Sequence, residues 1–339
     1  MDYSGLTETL SKEQLDQFEK MYPATPKARR SGVISIALLV FMIFVFSFGA
    51  LSSLKGDSPG GMTSSIILFV CTLLFGVGIL FTVLGISKLR RESAHLQLFA
   101  QRNNLTYTRS VESPNYQGMF FTQGRDKRLT NVIGSPTSTP PFEIGNMQYT
   151  IGSGKNQHTF RMGYMRIKLE RNLPQIVLDA TSNNAKIFGA SLSNLPDDFD
   201  KSQKMSLEGD FDSHFSLYAP KEYERDALYI FTPDLMALMI DNVKSYDAEI
   251  IDDQLFIYNS LVPFKLSDPA LLERLFSIIR IVGSKAHSQT DYYADEKVGD
   301  RAANVVAVQG RRLKQRIPLV TIIIVVIVSV FYVLASIQR

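Results

Sequence analysis

The chain has 339 residues, a formal net charge of +3 and a single cysteine, Cys71. So small a charge argues against a nucleic-acid partner. One cysteine excludes a disulfide framework or a cysteine metal site, which fits a reducing compartment.

Residues 1–32 form a polar tail with one helix signal. Ser11 can cap, Gln14 stands at the reciprocal capping-box position, and Leu10 with Leu15 makes a hydrophobic staple. Pro23 and Pro26 end that helix ahead of Lys27, Arg29 and Arg30. An apolar run follows at 33–54; the tail before it is too long for a signal-peptide n-region, so the run reads as a retained anchor. A short loop at 55–61 carries one lysine and one aspartate. The run at 62–87 has no charged side chain and is long enough to cross a bilayer with some tilt. A third run, rich in Ile and Val, occupies 317–337.

Lipid cannot hydrogen-bond a bare backbone, so each run is expected to be a transmembrane helix. Lys27, Arg29 and Arg30 precede the first; Lys88, Arg90 and Arg91 follow the second; Arg311, Arg312, Lys314 and Arg316 precede the third. The positive-inside rule then puts the tail and the region between the second and third helices in the cytoplasm of a multi-pass cell-membrane protein. The 55–61 loop and the last residues face outside. None of the runs holds Asp, Glu, Lys, Arg or His, which argues against a pump or transporter acting alone.

The region 88–286 reads as an α+β domain. Helical periodicity continues over 92–103, then strands are expected at 105–109, 119–122, 129–134, 147–152, 159–170 and 175–180. Two strands around Gly209 and a helix over 223–242 follow, with Thr232 capping a restart at Pro233. Segments 248–251 and 254–258 flank Asp252-Asp253 as a hairpin, and Ser267-Asp268-Pro269 opens a last amphipathic helix. The polar stretch 287–316 reads as a tether to the third helix.

Between 207 and 260 the chain carries Leu207-Glu208-Gly209-Asp210-Phe211, then Phe215-Ser216-Leu217-Tyr218, then Asp226-Ala227-Leu228-Tyr229-Ile230-Phe231-Thr232-Pro233-Asp234-Leu235-Met236. This resembles an uncharacterised bacterial membrane-protein family, a domain of unknown function. Its pattern, LE-x-x-F…F-x-V-Y…Y-I-L-T-P-x-x-M, follows two transmembrane helices. Leu217 and Phe231 depart from it by apolar exchange, and the third apolar run is an addition. The resemblance implies a membrane-anchored cytoplasmic domain and supplies no catalytic residues.

The acidic region runs through Asp197, Asp198 and Asp200 to Glu208, Asp210, Asp212 and His214. Hard cations need several such oxygens on a tight loop, which makes Glu208, Asp210 and Asp212 metal candidates. EF-hand spacing is missing, and alternate positions equally describe the wet face of a strand. Gly152-Ser153-Gly154-Lys155 lacks the first glycine and the hydroxyl of a phosphate loop, with Tyr149 and Asn156 in their places, and reads as a hairpin turn. The four histidines have no ligand spacing, no serine sits in a nucleophile elbow, and no motif implies a cofactor. Tyr292 and Tyr293 are candidates for docking a partner.

The expectation is a non-enzymatic, membrane-anchored binding, sensor or scaffold domain. Its partners are the lipid bilayer and a second protein or another copy of itself. The alternatives are a metal-assisted hydrolase and an accessory subunit of a transport or secretion complex.

Overall fold

The computed structural model describes residues 1–54, 61–187, 190–300 and 302–316. The third apolar run, 317–337, and all of the 55–61 loop but Gly61 lie outside the described residues. Contacts divide the chain into two units, Met1–Ser110 and Val111–Arg339.

The first unit holds a 3-10 turn (Ser4–Leu6) and helices α1 (Lys12–Met21), α2 (Pro26–Leu54) and α3 (Gly61–Arg102). The capping box at the start of α1 forms: Gln14 N donates to Ser11 Oγ at 3.2 Å, and Ser11 N donates to Gln14 Oε1 at 2.7 Å. Helices α2 and α3 pair antiparallel. A Cβ on Gly32 would stand 3.5 Å from Ile86, one on Gly78 3.7 Å from Leu39, and one on Gly49 3.4 Å from Leu68. Helix α3 runs unbroken past the apolar run to Arg102, so the domain start expected at 88 falls inside it. Its last turns bury Leu96, Phe99 and Ala100. The N-terminal tail docks there. Arg90 donates to Leu15 O at 2.7 Å and pairs with Asp16 at 2.8 Å, while Tyr3 stacks on Phe99 at 5.4 Å.

The second unit is built on an antiparallel sheet. Its strands are β1 (Thr106–Glu112), which carries the chain across the unit boundary, β2 (Arg125–Ser135), β3 (Phe142–Ile151) and β4 (His158–Ala180). A small hairpin, β5 (Ala185–Ile187) with β6 (Ala190–Leu192), stands apart; β7 (Lys204–Met205), β8 (Phe215–Tyr218) and β9 (Asp247–Asn259) complete the sheet. The seven-stranded order is β1-β2-β3-β4-β8-β7, with β9 also on β4. Helices follow late in the chain, as expected of an α+β fold: α4 (Phe211–His214), α5 (Glu224–Ile230), α6 (Pro233–Val243), α7 (Pro269–Ile278), a π turn (Ile279–Gly283), α8 (Ser284–Thr290) and α9 (Val308–Arg311).

Several local expectations change. Residues 119–122 are a turn, not a strand. The strands expected at 159–170 and 175–180 are the two ends of the 23-residue β4, joined through Pro174, where the register with β9 shifts. Proline lacks the N–H a ladder needs and is tolerated at such an irregularity. The hairpin expected around Asp252-Asp253 is instead one continuous strand, β9. Asp252 takes φ 53°, which a short polar side chain tolerates, and it faces Leu173 at the shift in β4. The extra residue reverses the alternation: Ile251 before it and Phe256 and Tyr258 after it all join one core. The restart at Pro233 forms where expected, although the Thr232 side chain makes no capping bond.

One sheet face carries the helices. Phe142 meets Phe276 edge-on at 5.7 Å, and a Cβ on Gly283 would stand 2.9 Å from Ile167. The other face carries an aromatic core of Phe121, Tyr164, Phe256 and Tyr258, closed by Phe199 and Leu313. The 287–316 segment is not a loose tether. Tyr293 is buried and donates to Asp226 at 2.8 Å, whereas Tyr292 is 86% exposed. Asp295 accepts from Tyr223 Oη at 2.7 Å and from Ala307 N at 2.8 Å.

Candidate functional site

The metal candidates do not lie on one strand face. Gly209 and Asp210 form a turn before α4, and Asp212 lies inside that helix. Asp212 works locally: its Oδ1 accepts from Leu207 N at 3.0 Å and its Oδ2 from the Ser206 hydroxyl. Asp210 stands 3.5 Å from His214 Nε2, one helical turn on. Among the described residues no three His, Cys, Asp or Glu side chains are placed to hold a metal ion together. Asp200 caps Ser202 N at 2.9 Å, the backbone of Asp198 accepts Arg316 N at 2.7 Å, and Asp197 alone of the three turns towards a cavity. The 152–155 stretch is the hairpin turn between β3 and β4.

The groups that stand out are two carboxylates on β9 that composition does not flag. Asp247 and Glu249 are fully buried. Asp247 gathers three loops: it accepts from Asn183 at 3.1 Å, Asn194 at 3.2 Å and Ser260 at 2.8 Å, as well as from Ala180 N at 3.1 Å. Glu249 accepts from Met119 N at 2.7 Å, Gln175 Nε2 at 2.7 Å and Tyr258 Oη at 2.9 Å. Gln175 in turn accepts Leu313 N at 2.8 Å, so one buried chain of bonds ties the 117–122 turn, β4, β9 and the end of the described chain together. Gly118 makes this approach possible, since a Cβ there would lie 2.3 Å from Tyr258 Oη.

Burial pushes the Glu249 carboxyl up to about 7 against the lowering effect of its donors, and it pushes Asp247 up to about 6. Desolvation disfavours the ionised form and here outweighs the hydrogen bonds that favour it.

Beside this network lies a cavity of about 340 Å³, lined by Gln117, Met119, Thr122, Gln175, Asp197 and Arg312 among others. Arg312 is engaged by Asp252 at 3.1 Å, and Asp197 accepts from Gln123 at 3.2 Å, its carboxyl raised by burial. The lining offers amides, one hydroxyl, one carboxyl and the Arg312 guanidinium, a set suited to hydrogen-bonding a small polar group. Its hydroxyl, on Thr122, donates to Met119 O at 2.8 Å rather than to a base. The signal for the buried pair was present in sequence: Asp247 and Glu249 alternate with Ala248, Ile250 and Ile251, where exposed strand residues would be more polar.

No family model and no curated protein matches the chain. Among solved structures, the mycobacterial trehalose monomycolate transport factor A, TtfA, aligns over 56% of this chain and 95% of its own, with 8% identity and a TM-score of 0.34. Likeness at that level carries no functional argument.

Proposed function

We propose that the chain is an integral membrane protein whose α2–α3 pair spans the bilayer and whose second unit is a cytoplasmic, non-enzymatic binding domain. The observation that carries this reading is the surface of the helix pair. Phe41, Phe44, Phe48, Phe69 and Phe81 are all exposed, although the two helices pack together along their length. An apolar core helix of a water-soluble protein would bury such side chains, and a continuous face of this kind calls for lipid. Basic residues gather at the Pro26 end of α2 and at 88–91 of α3, which favours a cytoplasmic location for that end. The sequence of 317–337 supports a third crossing with an external C-terminus.

The binding reading rests on the chemistry of the domain. The Asp247 and Glu249 carboxylates are engaged in structural hydrogen bonds, and the Thr122 hydroxyl on the cavity wall donates to a backbone carbonyl. A protein partner or a second copy of the chain is the expected occupant. The 207–236 pattern is accounted for by packing, since Leu207, Phe211, Phe215, Leu217, Ile230 and Leu235 are all buried. The resemblance to the uncharacterised family is therefore read as a shared core.

Topology is tested with a Cys71→Ser background carrying Lys155→Cys on the exposed β3–β4 hairpin. An impermeant maleimide should label it in inside-out vesicles and leave it unlabelled in intact cells. Labelling of intact cells refutes the cytoplasmic placement. Crosslinking in native membranes and mass spectrometry then identify the partner; a chain that crosslinks to nothing, itself included, refutes the binding reading.

A further inference from the structure

We propose that the start of α2 is a binding site for an anionic phospholipid, with the phosphate on Arg30 and one acyl chain lying along the helix. The proposal rests on the membrane reading above and names the lipid it prefers.

Two adjoining grooves open at this place, of about 510 and 580 Å³, and Pro26, Arg30 and Ile34 line both. These three residues follow one another at a spacing of four, one stripe of the helix. Ser31 and Ser35 add hydroxyls on one side, and Pro23 and Val33 add apolar wall on the other. Below Arg30 the stripe continues through the exposed side chains of Ile34, Leu38, Phe41 and Val45. At the helical rise, Ile34 to Val45 covers about 16 Å, close to the depth of one leaflet, half of a hydrocarbon core about 30 Å thick. A head-group phosphate at Arg30 thus places its acyl chain on an apolar track of matching length.

The charge balance selects an anionic lipid. The antiparallel pairing brings Gly32 level with Ile86, so Lys27, Arg29 and Arg30 share one end of the helix pair with Lys88, Arg90 and Arg91. Asp16 and Glu19 of the adjoining α1 both pair with Arg90; Glu19 also pairs with Arg109 at 3.0 Å and accepts Ala24 N at 3.2 Å at the groove wall. With those carboxylates matched by two guanidinium groups, Arg30, Lys88 and Arg91 outnumber the α3 carboxylate Glu92 at this level. A zwitterionic lipid would leave that excess uncompensated, whereas a net negative head group answers it.

The test uses the full chain in mild detergent micelles doped with phosphatidylglycerol or phosphatidylcholine, with bound lipid counted by native mass spectrometry. The wild type should retain phosphatidylglycerol in preference, and Arg30→Gln should lower that preference about fivefold, the effect of one interfacial charge. Lys155→Gln, on the β3–β4 hairpin of the second unit, should leave it unchanged. Equal retention of the two lipids, or a preference untouched by Arg30→Gln, overturns the proposal. Full competition by soluble glycerol phosphate overturns it as well, because the acyl track would then contribute nothing. Release of the chain from membranes by alkaline carbonate separates the cases: it removes the membrane reading itself, whereas a carbonate-resistant chain without lipid preference removes only this inference.

Discussion

Replacing Glu249 by glutamine separates the two opposing contributions of the buried carboxyl. In the fold it titrates near 7, against 4.5 for an unburied glutamate, a gap of about 3 kcal/mol between its protonated and ionised forms. Below pH 4.5 the group is protonated whether the chain is folded or not. Between 4.5 and 7 the folded chain keeps a proton that the unfolded chain releases, so its contribution to stability falls as pH rises and is level again above 7. Glutamine has no such titration. Its carbonyl can still accept Met119 N and Tyr258 Oη, but its NH₂ faces the NH₂ of Gln175. Turning the Gln175 amide repairs that contact and strips Leu313 N of its acceptor. One buried donor is left over in either arrangement, at a cost of about 1–3 kcal/mol. Glu249→Gln should therefore melt several degrees below wild type at pH 5 and match or exceed it at pH 8.5, at about 2–4 °C per kcal/mol for a domain of this size. Asp247 titrates in both proteins, so the difference between the two curves isolates Glu249. The chain has no tryptophan, and far-ultraviolet circular dichroism in detergent is the suitable melt. A difference that is constant with pH would refute the reasoning.

Gly118→Ala drives a methyl to within 2.3 Å of Tyr258 Oη and 3.2 Å of Phe121 and Phe256; a loss of about 3 kcal/mol, read by the same melts, is expected. Asp212→Ala removes the acceptor of Leu207 N and the Ser206 hydroxyl, and should cost about 1 kcal/mol. If its role is only local, titration calorimetry with calcium or manganese will give the same heats for this variant as for wild type. Asp295→Ala strands Tyr223 Oη, Ala307 N and Lys297 N, and should cost about 3 kcal/mol; new proteolytic cleavage between 295 and 311 would report it. Burial pushes the Asp295 carboxyl up, but the Ala307 and Lys297 N–H groups and the Tyr223 hydroxyl outweigh it and hold the group below its ordinary value. The stability it contributes is accordingly present at neutral pH and lost as pH falls through that depressed value.

The parts legible in sequence are those fixed by short-range physics. The α1 capping box and the Pro233 restart form where local chemistry puts them, and the long apolar runs at 33–54 and 62–87 lie within helices. Length and composition suffice for these. What could not be read depends on distant partners. Pro174 and the Asp252-Asp253 pair are breakers by local preference, yet each sits in a continuous strand because the two irregularities oppose one another across β4 and β9. That pairing joins residues about eighty positions apart, which no short window contains. The carboxylate-dense region 197–212 stands out in composition, whereas the two carboxylates buried in the apolar strand β9 stand out only once their distant donors are brought to them. Likewise 287–316 looks solvated by composition, and its docking depends on Asp226, Tyr223 and Arg171 elsewhere in the chain.

The position of β4 also fixes an order of events during synthesis. The strand pairs with β3 through the 152–157 turn as soon as it leaves the ribosome, but its other edge waits for β9, which begins at Asp247. At translation rates of about 5–20 residues per second, that edge stands open for several seconds. Unpaired edges recruit whatever strands are near, and on a polysome the nearest are those of sibling chains. Crowding of nascent chains, more than the stability of the finished fold, should thus limit the yield of this protein on overexpression.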